Sequence, residues 1–83
     1  MPQPLEELPN IGEVLAERLR ASGIASAEQL LEVGDYAAFE RLRGSLPEDA
    51  CVHTRLALAG AVRGIRHLEL PADVKAQIRS ELA

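Results

Sequence analysis

The run Leu8-Pro9-Asn10-Ile11-Gly12 holds the residue types from which a chain builds an anion-binding turn. Pro9 presets φ for a turn, and Asn10 is among the few non-glycine residues that tolerate positive φ. Ile11 supplies an apolar anchor, and Gly12 lets a ligand approach the backbone with no Cβ in the way. The amides that open the following helix lack intrahelical partners and stand at its positive end, where a phosphate oxygen is favoured. The candidate nucleic-acid contacts are therefore Asn10, Ile11, Gly12, Glu13 and Val14, with Arg18 and Arg20 as compensating cations. Glu13 and Glu17 oppose that reading at contact distance. On a helix beginning near Gly12, Arg18 and Arg20 lie about one and a half to two turns on and point roughly 200° apart. At most one serves the same phosphate, and the other pairs with a nearby acid or covers apolar surface. The competing reading is a tight turn that only packs one helix on another.

No other side chains converge on recognisable chemistry. Cys51 and His53 stand two apart on a presumed helix, hence on different faces, which is poor for shared metal ligation. A single cysteine excludes an internal disulfide and any multi-cysteine zinc site, and Cys51 reads as a small core residue. His67 reads as a partly buried histidine in a joint. Glu6 and Glu7 have no nucleophile or paired base nearby, and Arg41, Arg43, Arg63 and Arg66 read as solvated charge or a second basic spot. Nucleophilic triads, phosphate loops and dinucleotide motifs are all missing. The expectation is a protein that is not an enzyme and uses no metal or cofactor.

The elements that must position the turn are helical. Apolar residues make up 47% of the 83, mostly Leu and Ala, with Tyr36 and Phe39 as the aromatics, a balance that favours helix over strand. One small domain is expected over residues 1–83. Leu15 and Leu19 form a stripe between Gly12 and Ser22, and Gly23 with Ile24 reads as its stop. Ser26 and Gln29 make a capping box for a short helix that runs to Gly34. Asp35 reads as the next cap, before Ala38, Phe39 and Leu42. From about Glu48 to Arg63 the chain is apolar on most faces, the mark of a central helix. Gly60 in its interior predicts a close helix crossing. After a short link, Pro71 opens a last helix with Val74, Ile78 and Leu82 in register. The reading is an all-α bundle of about five helices after an N-terminal turn.

Charge weighs against strong DNA affinity. The net charge is −4, and residues 1–44, which contain the turn, hold four arginines against eight carboxylates. There is no leader-like segment and no apolar run of membrane-spanning length, so a soluble cytoplasmic protein is expected.

The stretch LPNIGEVLAERL matches the helix-hairpin-helix pattern, and LPNIGEVLAERLRASGIASAEQLLEVG resembles the start of the C-terminal domain of TfoX/Sxy-type proteins, regulators of bacterial natural competence. LALAGAVRGIRHLELPADVKAQI is similar to that domain's last two helices and their proline-marked joint. The resemblance spans roughly Leu5 to Leu82. It implies an all-helical fold containing a helix-hairpin-helix unit, a link to transformation or transcriptional regulation, and no catalysis. Family chains of the full type carry a preceding N-terminal domain, whereas this sequence begins at the hairpin. DNA-gripping hairpins commonly place Lys or Arg just beyond the second glycine, where this sequence has Glu13 and Val14. The functional expectation is a regulatory module that binds a protein partner or itself, with non-specific DNA-backbone binding through Asn10–Gly12 as the alternative.

Overall fold

The computed structural model describes residues 1–82. Five α-helices follow a 3-10 turn at Leu5–Glu7: α1 (Glu13–Ala21), α2 (Ala27–Val33), α3 (Asp35–Leu42), α4 (Cys51–Arg63) and α5 (Ala72–Glu81). Shorter 3-10 turns at Arg43–Ser45, Glu48–Ala50 and His67–Glu69 join them, and the described residues contain no strand. The all-α expectation holds. No helix among the described residues is long and apolar enough to cross a membrane.

The local stops work as their chemistry demands. Gly23 adopts φ +88°, and the amide of Ile24 turns back to donate to the Leu19 carbonyl at 2.9 Å. That bond satisfies an end carbonyl and buries Ile24 completely. Ser26 Oγ accepts from the Gln29 amide at 3.2 Å, while Gln29 Oε1 accepts from the Ala25 amide at 2.6 Å. The box thus reaches back one residue further than the usual reciprocal pair. Asp35 is not the cap of α3. Gly34 at φ +89° takes that place, and Asp35 is the first helical residue, its carboxylate turned to arginines of α4.

Two stripes on α4 explain why that helix is apolar on most faces. Leu58 and Ala61 join the main core of Leu5, Leu19, Ile24, Leu30, Phe39 and Leu42. Leu56 and Ala59 face a second cluster with Leu70 and Ile78, which seats α5. Burying a side chain of this size contributes about 1.5–3 kcal/mol, so the two clusters hold α4 from both sides. The close approach at Gly60 is not a helix crossing. A Cβ there would stand 2.5 Å from Asn10 Nδ2 and 2.7 Å from the Ile65 carbonyl oxygen, so the space is taken by the N-terminal turn and by the chain leaving α4.

Candidate functional site: the face around the N-terminal bend

The bend over Pro9–Gly12 joins a single 3-10 turn to α1. Asn10 adopts φ +69°, the one non-glycine residue with positive φ among those described, and this aims its side chain into the molecule. Nδ2 donates to the carbonyls of Ile65 at 2.9 Å and Ala57 at 3.3 Å, while Oδ1 accepts from the His67 amide at 3.0 Å. One primary amide therefore pins the end of α4, and the link after it, to the N-terminal bend across more than fifty residues of sequence. Three of the four hydrogen-bond positions of an asparagine side chain are used in this way.

The remaining sequence candidates separate by direction. Ile11 is buried and anchors the bend in the main core. Gly12 caps α1 at φ −94°, and a Cβ there would meet nothing within 4 Å. Glu13 is exposed, and Val14 is 69% exposed. The first helical bond of α1 runs from the Ala16 amide to the Gly12 carbonyl at 3.0 Å, so the amides of Glu13, Val14 and Leu15 have no partner inside the helix. Arg18 donates to the Ser45 carbonyl at 3.0 Å. Arg20 turns the other way, to Glu6 at 2.7 Å and Glu17 at 3.3 Å. The hydrogen bond from Arg20 holds the Glu6 carboxyl below the ordinary glutamate range. The structure brings Asn10, Val14 and Arg18 around one recess, and directs Arg20 away to its acids.

That recess, of about 230 Å³, lies between α1 and α4 and has Val14, Leu15, Leu46, Pro47 and Ala57 among its walls. A second, of about 420 Å³, adjoins it through Asn10 and His53 and is otherwise lined by Pro9, Arg66, His67 and Leu68. Leu68 is 73% exposed at its edge, and the rings of His53 and His67 meet edge-to-face with centroids 5.1 Å apart. The fold thus gathers two histidines and an arginine beside the bend. His53 is distant from Asn10 in sequence, and nothing in its spacing marks the meeting.

Sequence reasoning also passed over Arg55. Its side chain is only 6% exposed and donates to Asp35 at 2.6 Å and Glu81 at 3.2 Å, with the Tyr36 ring 5.6 Å from its guanidinium carbon. Arg63 adds a longer contact to Asp35 at 3.5 Å. Burial alone would raise the Asp35 carboxyl. The hydrogen bond and charge of Arg55, with the charge of Arg63, outweigh it and hold that carboxyl below the ordinary aspartate range. This network joins α3, α4 and α5 and is structural.

Comparison with known proteins places this architecture. The family model described as the TfoX C-terminal domain matches residues 1–82. A crystal structure of an uncharacterized protein from Listeria monocytogenes, in a triclinic form, superposes with a TM-score of 0.83 at 39% identity, covering 90% of this chain and 84% of that one. A tetragonal form, of a Listeria monocytogenes protein of unknown function, gives a TM-score of 0.83 at 38% identity and covers 93% of each chain. No curated protein matches the chain. With the match running from the N-terminal bend through α5, the chain belongs to the TfoX C-terminal domain family.

Proposed function

We propose that this domain is a non-enzymatic regulatory interaction module of the cytoplasm that binds a protein partner. Its docking face is made by the Pro9–Val14 bend, the start of α4 and the Arg66–Leu68 link. The observation that carries this reading is the division of labour at the bend. Asn10 is committed to internal bonds, while two adjoining recesses open outward beside exposed Val14 and Leu68. Exposed apolar side chains grouped beside concave surface suit the apolar centre of a protein-binding patch, around which a polar rim is usual. The family's tie to competence regulation suits a module that works by contact.

The test is a photo-crosslinking amino acid placed at Val14 in cells that make the protein, with exposed Gln77 on α5 as the control position. The expected Val14 adducts are destroyed by protease and give peptides of a second polypeptide, whereas Gln77 gives none. Adducts destroyed by nuclease, or no adduct at Val14, contradict the reading.

A second reading, non-specific contact with a DNA backbone, has one observation in its favour. Gly12 has neither a positive φ nor a crowded Cβ position, and it stands beside the open amides of Glu13 to Leu15, with Arg18 and Arg66 lining the two neighbouring recesses. Gly12→Val adds bulk at a position where a Cβ meets nothing within 4 Å, and on this reading it abolishes DNA binding in a low-salt mobility assay.

A further inference from the structure

We propose that the face takes a short acidic-apolar segment of a partner protein, with an aliphatic side chain in the recess between α1 and α4 and a carboxylate beside Arg66 in the adjoining one. This rests on the protein-binding reading above and names the chemistry of the partner.

The two recesses differ in what they can hold. The smaller one has Val14, Leu15, Leu46, Pro47 and Ala57 among its walls, with Arg18 and Thr54 also lining it. The larger carries Arg66, which is exposed and, among the described residues, has no ion-pair partner. Arg20, Arg43, Arg55 and Arg63 are each held by a carboxylate. The rings of His53 and His67 border the same recess and offer further N–H donors. Neither recess is lined by an acidic residue, although the chain carries 13 of them against nine Lys and Arg. The recess walls therefore carry cationic side chains and no carboxylate, with exposed Glu13 outside them on the bend, and this local balance favours a carboxylate inside the larger recess. Because the recesses share Asn10 and His53, the aliphatic group and the carboxylate belong on one segment, a few residues apart.

A nucleic acid fits the same surface less well. Arg18 and Arg66 line the two recesses without an ion-pair partner among the described residues, and two arginines neutralise few phosphates, which leaves most of the usual counterion-release gain unrealised. A sugar-phosphate backbone also has no aliphatic group for the smaller recess.

The experiment selects a random-peptide phage library on the whole chain at low salt. Synthetic versions of the enriched peptides are then measured by fluorescence anisotropy against the wild type, Arg66→Glu and Val14→Asp. Both substituted side chains are exposed, so both variants should keep the wild-type unfolding midpoint, and a midpoint scan checks this. The expected peptides place Asp or Glu within about four residues of Leu, Ile, Met or Phe. Arg66→Glu and Val14→Asp should each weaken them by about tenfold or more, and exchanging the acid for Lys should abolish binding. Enriched peptides that lack an acid, or that bind Arg66→Glu as well as wild type, overturn the acidic specificity and leave a protein-binding face standing. An empty selection, together with duplex DNA that binds wild type and not Arg66→Glu, overturns both and gives the recess to nucleic acid.

Discussion

At the scale of single residues, Asn10 carries more of this fold than any neighbour in its motif. Its side-chain amide meets the Ile65 carbonyl and the His67 amide, both beyond the end of α4, and adds a second donor to the Ala57 carbonyl inside that helix. Leaving such groups unpaired costs about 1–3 kcal/mol apiece when they are buried. The Ile65 and His67 bonds are partly buried, so losing these two partners should make Asn10→Ala less stable by about 2–4 kcal/mol in chemical denaturation. Asn10→Gly loses the same bonds but accepts φ +69°, and should recover about 1 kcal/mol of that loss. Asn10→Asp should be worse than its size suggests, because a carboxylate would face the Ala57 and Ile65 carbonyls with no proton to give. Gly60→Ala makes the reciprocal point. Alanine gains about 1 kcal/mol of helix propensity, yet its Cβ would sit 2.7 Å from the fixed Ile65 carbonyl oxygen. The variant should therefore be destabilised by about 1–3 kcal/mol net, as overpacked sites are. In an Asn10→Ala background part of that penalty should disappear, because the 2.5 Å clash with Nδ2 goes with the amide. The positive φ of Asn10 was legible in the sequence. The destination of its side chain was not, since that depends on a contact with residues 57, 65 and 67 for which local spacing holds no signal.

At the scale of elements, the stops and caps were readable because each is a local transaction. Gly23 with Ile24 and Ser26 with Gln29 satisfy backbone groups within a few residues of themselves, so their types announce them. Asp35 shows where such reasoning ends. It has a cap's residue type, but Gly34 fills that place and the carboxylate is drawn to Arg55 and Arg63 across the helix packing. Arg55 itself gave no warning, because an arginine in an apolar helix looks the same whether its head reaches water or a buried acid. Arg55→Met should destabilise by about 2–3 kcal/mol. This lies at and below the bottom of the usual range of about 3–5 kcal/mol for a broken buried pair, since Asp35 and Glu81 side chains keep 20% and 26% exposure. The loss should show first in α5, which Arg55 ties down through Glu81 beside the small cluster of Leu56, Ala59, Leu70 and Ile78. Hydrogen exchange along α5 measures that directly. Arg55→Lys should recover little, because a single ammonium lacks the guanidinium's two directions.

At the scale of the whole molecule, charge sets the response to acid and, on the proposed reading, weighs on the choice of partner. The folded state holds Asp35 below its ordinary pKa, so the unfolded chain binds that proton more readily. The stabilisation is complete above the unfolded value and is lost as pH falls through the folded one. Stability should thus decline on the acid side from about pH 4 downward. Asp35→Asn should lower stability at neutral pH and flatten that decline, both readable from denaturation midpoints across pH. The same acidic excess shapes recognition, because a net charge of −4 disfavours a polyanion at long range. The bend is turned inward as a staple, and on the proposed reading its outer face serves a protein instead of gripping a phosphate backbone. The most direct test follows the backbone amide resonances of Ile11, Gly12, Glu13 and Val14 while short duplex DNA is titrated in at low salt. The account predicts no saturable movement of these four signals. Saturable shifts that Gly12→Val abolishes, and that weaken by roughly 0.9 log units per phosphate for each tenfold rise in salt, would contradict it.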